Sequence, residues 1–192
     1  IQGRNIMGIG LDMYLGSDFK VYHSFMLADQ FPNYRIRKMR EDYMLRDLIT
    51  AMAENKIKSM DKNHRLIDEM LYEGKVLYMV DAILPESSDS IKLGYTPKQL
   101  NWANQNESEV WAALVDSKLL YSTEPAKIRD FISDGPFTTA NGFGAGTAPR
   151  IGAYTGWQII KKFMQKNSGF TLAQLLANTD SDAILTQSKY KP

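Results

Sequence analysis

Cysteine is missing from this 192-residue chain, so disulfides, thiol nucleophiles and cysteine-ligated metals are excluded. Histidine is scarce. The two present, His23 and His64, stand far apart and neither is followed by glutamate. A zinc-peptidase helix needs His-Glu-x-x-His within about one turn. No nucleophile elbow of the form Gly-x-Ser-x-Gly occurs either. No apolar run approaches the ~20 residues that span a bilayer. An excess of one charge is also lacking, with 23 Lys and Arg against 22 Asp and Glu. That removes the net field that draws in nucleic acid or anionic lipid. What the chain does have is length enough for one domain with a proper core. Apolar residues make up 44% of it, and its 10 methionines suit a helical core of adaptable side chains. With no internal repeat, low-complexity tract or linker, residues 1–192 read as a single domain.

The most informative stretch is residues 65–85, RLIDEMLYEGKVLYMVDAILP. Leu66, Met70, Glu73, Leu77 and Val80 recur at steps of four and three, the spacing of one helical face. Glu73 therefore falls on the stripe that meets the core. An unpaired buried carboxylate costs several kcal/mol, so Glu73 requires a cation, a metal, hydrogen-bond donors or a proton. Gly74 costs the helix about 1 kcal/mol relative to alanine, which marks close approach by another element. The helix must stop at Pro85, and Asp61 or Asn63 is placed to cap its start.

Turn and cap signals divide the rest into helices. Phe31-Pro32-Asn33 is a turn, followed by a helix over about residues 41–55. Residues 86–90 read as a polar loop. Thr96-Pro97-Lys98-Gln99 combines N-cap, N1 proline and capping-box glutamine, opening a helix that runs to about Leu120. Thr171 and Gln174 repeat the box at the penultimate helix. Residues 6–15 fit a helix or a buried strand, since short apolar runs do not decide by periodicity. The glycine-rich residues 135–152 include GFGAG, but neither a Gly-Lys-Ser/Thr ending nor a strand-to-helix context supports a nucleotide site. Close packing over a cleft is the better reading, with a lid as its functional variant.

In PRIGAYTGWQIIKKFM (residues 149–164), Gly152 and Gly156 share a face, and Tyr154, Trp157, Ile160 and Met164 form an apolar stripe. Glycines so placed let a neighbouring helix pack closely. Arg150 puts a cation at the helix start, against the macrodipole. A carboxylate should compensate it, and Glu73 is the best candidate. The basic cluster Arg35, Arg37, Lys38, Arg40 and Arg46 is diluted by Glu41, Asp42 and Asp47. Solvation or ion pairing accounts for it better than RNA binding does, and contact with phosphate head groups or an acidic protein is the functional alternative.

The segments MLYEGKVLYMVDAILP, GYTPKQLNWANQNESEVWAALVDSKLLYST, PFT, PRIGAYTGWQIIKKFMQKN, ILTQSKYKP and, near the start, LDMYLGSDFKVY are collinear and cover most of the chain. Together they resemble the gliding-motility lipoprotein GldB family of the Bacteroidetes. The resemblance implies a cell-envelope protein on the periplasmic side, membrane-anchored by lipid upstream of this chain. Its signal, lipidation cysteine and leading segment would then precede Ile1. It also implies a fold distantly related to zinc peptidases. In those enzymes a metal-binding helix precedes the Glu-Gly helix. Here that position, residues 43–55, holds no histidine and only the carboxylates Asp47 and Glu54, which leaves Glu73 as the remnant of a third ligand.

The expected fold is mainly α, a single helical domain of degenerate zincin-like type with room for a short N-terminal strand. The expected function is non-catalytic support of gliding motility or the associated secretion machinery through contacts with envelope proteins. No cofactor, metal or nucleic acid is expected. The alternative is a metal- or carboxylate-dependent, peptidase-like hydrolase around Glu73. The expected binding groove comprises Glu73, Tyr78, Arg150, Tyr154 and Trp157, against the plainer outcome that Tyr154 and Trp157 fill the core.

Overall fold

The computed structural model describes residues 2–3, 6–24, 31–57, 64–135 and 147–192. Within them lie β1 (Gln2–Gly3), β2 (Ile6–Met7), α1 (Asn33–Ile36), α2 (Glu41–Lys56), α3 (Leu66–Ile83), α4 (Asp89–Leu93), α5 (Pro97–Gln105), α6 (Glu107–Asp116), α7 (Pro125–Ile132), α8 (Ile151–Lys166), α9 (Leu172–Ala177) and α10 (Ser181–Ser188). The protein is mainly helical. Residues 6–15 resolve into β2, paired antiparallel with β1, and a 3-10 turn over Leu11–Met13.

The organising element is α3. The single apolar stripe read from sequence understates it: Ile67, Leu71, Val76 and Met79 are buried as well as Leu66, Met70, Leu77 and Val80. A helix apolar on all sides must be enclosed on all sides. Accordingly α8 lies along one flank and α2 along another, with α7 and α10 completing the enclosure. On the α2 flank, Ile49 and Ala53 pack against Val76, Met79 and Val80.

Glycine sets the α3–α8 distance. A Cβ built on Gly156 would sit 1.8 Å from the Met70 carbonyl oxygen, and one on Gly74 would sit 2.5 Å from the Gly156 carbonyl. Each glycine faces the other helix's backbone, so neither helix tolerates a methyl there. Gly152 belongs to the same face, its Cβ position 3.0 Å from the Phe131 carbonyl oxygen of α7.

Several boundaries differ from the sequence reading. Residues 97–120 form two helices, broken at Asn106. Its side-chain amide donates to the Trp102 carbonyl at 2.7 Å, while its own carbonyl accepts from Val110 N–H at 2.9 Å. Asn106 thus ends α5 and starts α6, the competition with helix backbone expected of a short amide. Residues 86–90 are only partly loop, because Ser88 caps α4. Asp61 and Asn63 lie outside the described residues. The N-cap of α3 is Arg65, whose backbone N–H donates to Asp68 at 2.9 Å. The capping boxes at Thr96 and Thr171 form as expected. Most of the glycine-rich loop, with its lid reading, lies outside the described residues; Gly152 is part of α8.

Candidate functional site

Three elements bring charge together beside α3. From α3 comes Glu73, from the turn before α8 comes Arg150, and from α2 come Arg46, Asp47 and Glu54. Arg150 has φ 54° and ψ 37°, a left-handed conformation that costs a non-glycine residue about 1–3 kcal/mol. It also places a cation at a helix N-terminus. Both costs are met by one contact: Arg150 Nη2 donates to Glu73 Oε2. Their side chains retain only 17% and 20% exposure, so the pair is mostly desolvated.

Glu54 is exposed on α2 and lies close enough to sense this pair. Partial desolvation and then the Glu73 charge push its carboxyl above the ordinary range, and Arg150 opposes them. Asp47 is held differently. It accepts from Arg46 Nη1 at 2.7 Å and from the Tyr14 hydroxyl at 3.0 Å. Burial, followed by the Asp47 charge, pushes the Tyr14 hydroxyl up to about 12.

Of the residues expected to line a groove, the structure joins Glu73 to Arg150 and leaves Tyr78 half-buried. Tyr154 and Trp157 are 2% and 0% exposed, inside the core. Trp157 still presents its ring face to Lys161, whose Nζ stands 3.3 Å from the ring centroid.

A catalytic zinc requires three protein ligands. Among the described residues no group of three His, Asp or Glu side chains is placed to hold a metal. His23 Nε2 contacts the Ser17 carbonyl oxygen, and His64 lies beside Glu69. The donor set near Glu73, carboxylates interleaved with Arg46 and Arg150, does not fit zinc.

The basic cluster is largely spent on internal contacts. Lys38 pairs with Asp134, Arg37 donates to the Gly94 carbonyl at 2.9 Å, and Arg46 donates through Nε to the Lys92 carbonyl at 3.1 Å. Arg40 pairs with Asp42 at 2.9 Å.

Two features escape the sequence reading. Glu107 gathers two buried tyrosines: Tyr190 donates at 2.6 Å to Oε1, and the Tyr154 hydroxyl lies 3.1 Å from Oε2. Lys75 is fully buried and donates to the Asn178 carbonyl. The available signal was a lone lysine within the apolar run of α3. No helix among the described residues is long and apolar enough to cross a membrane.

No curated protein and no solved structure matches this chain. A family model does, that of the gliding motility protein GldB, and it matches residues 1–192. The chain belongs to the gliding motility protein GldB family.

Proposed function

We infer that the protein is a lipid-anchored, non-catalytic component of the cell envelope on its periplasmic side. It supports gliding motility or the associated secretion machinery by contacting other envelope proteins. The family match across residues 1–192 carries this reading. The chemistry of the site agrees with it: Glu73, the strongest sequence candidate for a ligand or acid, is engaged by Arg150. Asp47 is likewise engaged by Arg46 and Tyr14. Carboxylates committed in this way position helices. On this reading the helical frame is a degenerate zincin-like scaffold, and Glu73, Tyr78 and Arg150 form the accessible rim of its former cleft.

One observation favours a second reading. Partial desolvation and then the nearby Glu73 charge raise Glu54, which places two carboxylates in one neighbourhood, as in pairs that divide acid and base roles. A carboxylate-dependent hydrolase would use these two groups. Complementation of a deletion strain, with metal analysis and peptidase assays on the purified protein, separates the readings. Restored gliding by wild type, with neither zinc nor peptide hydrolysis in the purified protein, supports the scaffold. Stoichiometric zinc, or hydrolysis abolished by Glu54→Gln, overturns it.

A further inference from the structure

Two clefts run along the outer side of α2 and merge. The larger, of about 530 Å³, lies between α2 and the extended segment from Met7 to Gly10, with Leu48, Ala51 and Glu54 on the helix side. The smaller, of about 200 Å³, is bounded by Arg35, Lys38 and Arg46. Met13, Tyr14 and Asp47 line both, so the clefts form one groove.

Its charges are not spread evenly. Lys38, Arg46 and Asp47 are consumed by the ion pairs with Asp134 and with each other. Two groups remain that have no ion-pair partner among the described residues: Glu54 at one end and Arg35 at the other. Between them Met7, Ile9, Met13, Leu48 and Ala51 supply apolar wall, interrupted by the paired Tyr14 and Asp47. The groove is therefore a slot with opposite free charges at its two ends and apolar patches, at Leu48 and Ala51, between them. From Arg46 to Glu54 the helix advances by about 12 Å at its rise per residue. An extended chain covers that distance with about four residues.

Resting on the reading that this protein works through protein contacts, we propose that the groove along α2 receives an extended peptide segment of a partner. The segment carries a basic side chain at the Glu54 end, apolar side chains over Leu48 and Ala51, and a carboxylate at the Arg35 end. The separation of the two charges along the groove selects such a peptide over a zwitterionic lipid headgroup, whose ammonium and phosphate lie only two carbons apart. The carboxylate is either an acidic side chain or a chain terminus, since both present the same oxygens to a guanidinium.

Fluorescence anisotropy with short labelled peptides tests this. The probes are Lys-Leu-Val-Leu-Glu amide, the free acid Lys-Leu-Val-Leu, and the like-charge controls with Lys or Glu at both ends. We expect both opposite-charge peptides to bind at least about fivefold more tightly than either control, roughly 1 kcal/mol. The tighter of the two identifies the carboxylate source. Ala51→Trp fills the slot and should weaken binding at least about tenfold, and Glu54→Lys should transfer preference to the Glu-ended control. Glu54 is exposed, so the charge swap leaves the fold intact even if the tryptophan does not.

Equal binding of all four peptides, or no effect of Glu54→Lys, overturns the proposal. So does a self-association lost in Ala51→Trp, which would assign the groove to a second copy. In cells the two levels separate. Complementation by wild type but also by Glu54→Lys sinks the groove alone, whereas failure of wild type sinks the motility reading.

Discussion

The tightest glycine contact among the described residues yields the sharpest stability prediction. In Gly156→Ala the new methyl would lie 1.8 Å from the Met70 carbonyl oxygen, well inside van der Waals contact. The obstacle is helix backbone and cannot swing aside, so α8 must move away from α3 by more than 1 Å. A gap of 0.5–1 Å forfeits about a quarter to a half of each contact's dispersion energy. The affected contacts involve Met70 and Trp157, both fully buried. Overpacking of this kind exceeds its usual range of about 1–3 kcal/mol and reaches roughly 3–4 kcal/mol. Alanine's better helix propensity returns about 1 kcal/mol, leaving a net loss of roughly 2–3 kcal/mol. Urea unfolding followed by far-ultraviolet circular dichroism measures it, with Gly169→Ala as control because its Cβ meets nothing within 4 Å. Gly74→Ala in the Gly156→Ala background should cost less than alone, since the helices have already parted. Equal midpoints for wild type and Gly156→Ala would refute the glycine-set contact.

Four other outcomes are expected. Glu73→Ala and Arg150→Ala should each destabilise by about 2 kcal/mol and the double variant by less than the sum, intermediate between exposed and dry pairs. Arg150→Gly should be about 1 kcal/mol milder than Arg150→Ala, because glycine accepts the left-handed backbone; denaturant titration decides both. Glu107→Ala should cost roughly 1–2 kcal/mol by removing the acceptor of the Tyr190 hydroxyl, while the Tyr154 hydroxyl keeps Asn104 Oδ1 at 3.0 Å, and an unchanged melting curve would contradict it. Burial pushes the Lys75 amine down to about 8, while the unfolded lysine keeps its proton until its ordinary value, 10.5. The unfolded state then binds more protons between these values, so stability should rise by roughly 2 kcal/mol from pH 8 to pH 10 and lose that contribution below pH 8. Above pH 10 the buried tyrosines act in the opposite sense, so the test window closes there. In Lys75→Met this rise should largely disappear.

The parts of the fold legible in sequence are those decided locally or by two anomalies with one remedy. The Thr96 and Thr171 capping boxes close within four residues, so composition suffices to place them. A carboxylate on an apolar stripe and a cation at a helix start each demand a partner, and the Glu73–Arg150 contact answers both. Gly74, Gly152 and Gly156 were readable as sites of close approach, although not which helix each would meet. The break at Asn106 was invisible because its cause is one side-chain hydrogen bond to Trp102. Lys75 was equally hidden: a lysine in an apolar run usually snorkels, and only the chain reversal after α9 supplies the Asn178 carbonyl. For the site, Glu54 and Arg35 stand out only after every other charge in the groove has been matched, which is a three-dimensional subtraction.

The stretches that carry the family resemblance also explain why they are poor guides to the working surface. Residues 94–123 contribute Glu107, residues 149–167 contribute Tyr154, and residues 184–192 contribute Tyr190; these three side chains meet in one hydrogen-bonded cluster. Trp111 closes it, its ring edge-on to Tyr190 at 4.9 Å. Residues 70–85 and 149–167 also hold the glycine contact between α3 and α8. These segments therefore specify a scaffold: their aromatic residues are consumed in packing, which leaves few of the exposed anchors a binding surface draws on. By contrast, α2 lies outside all of them and keeps Glu54 unpaired over an open groove. The helix side of the groove is thus carried apart from the α3–α8 frame, although Met13 and Tyr14 on its far wall belong to the segment LDMYLGSDFKVY. This division makes Glu54 and Ala51 more informative targets than Trp157, whose replacement would report first on folding.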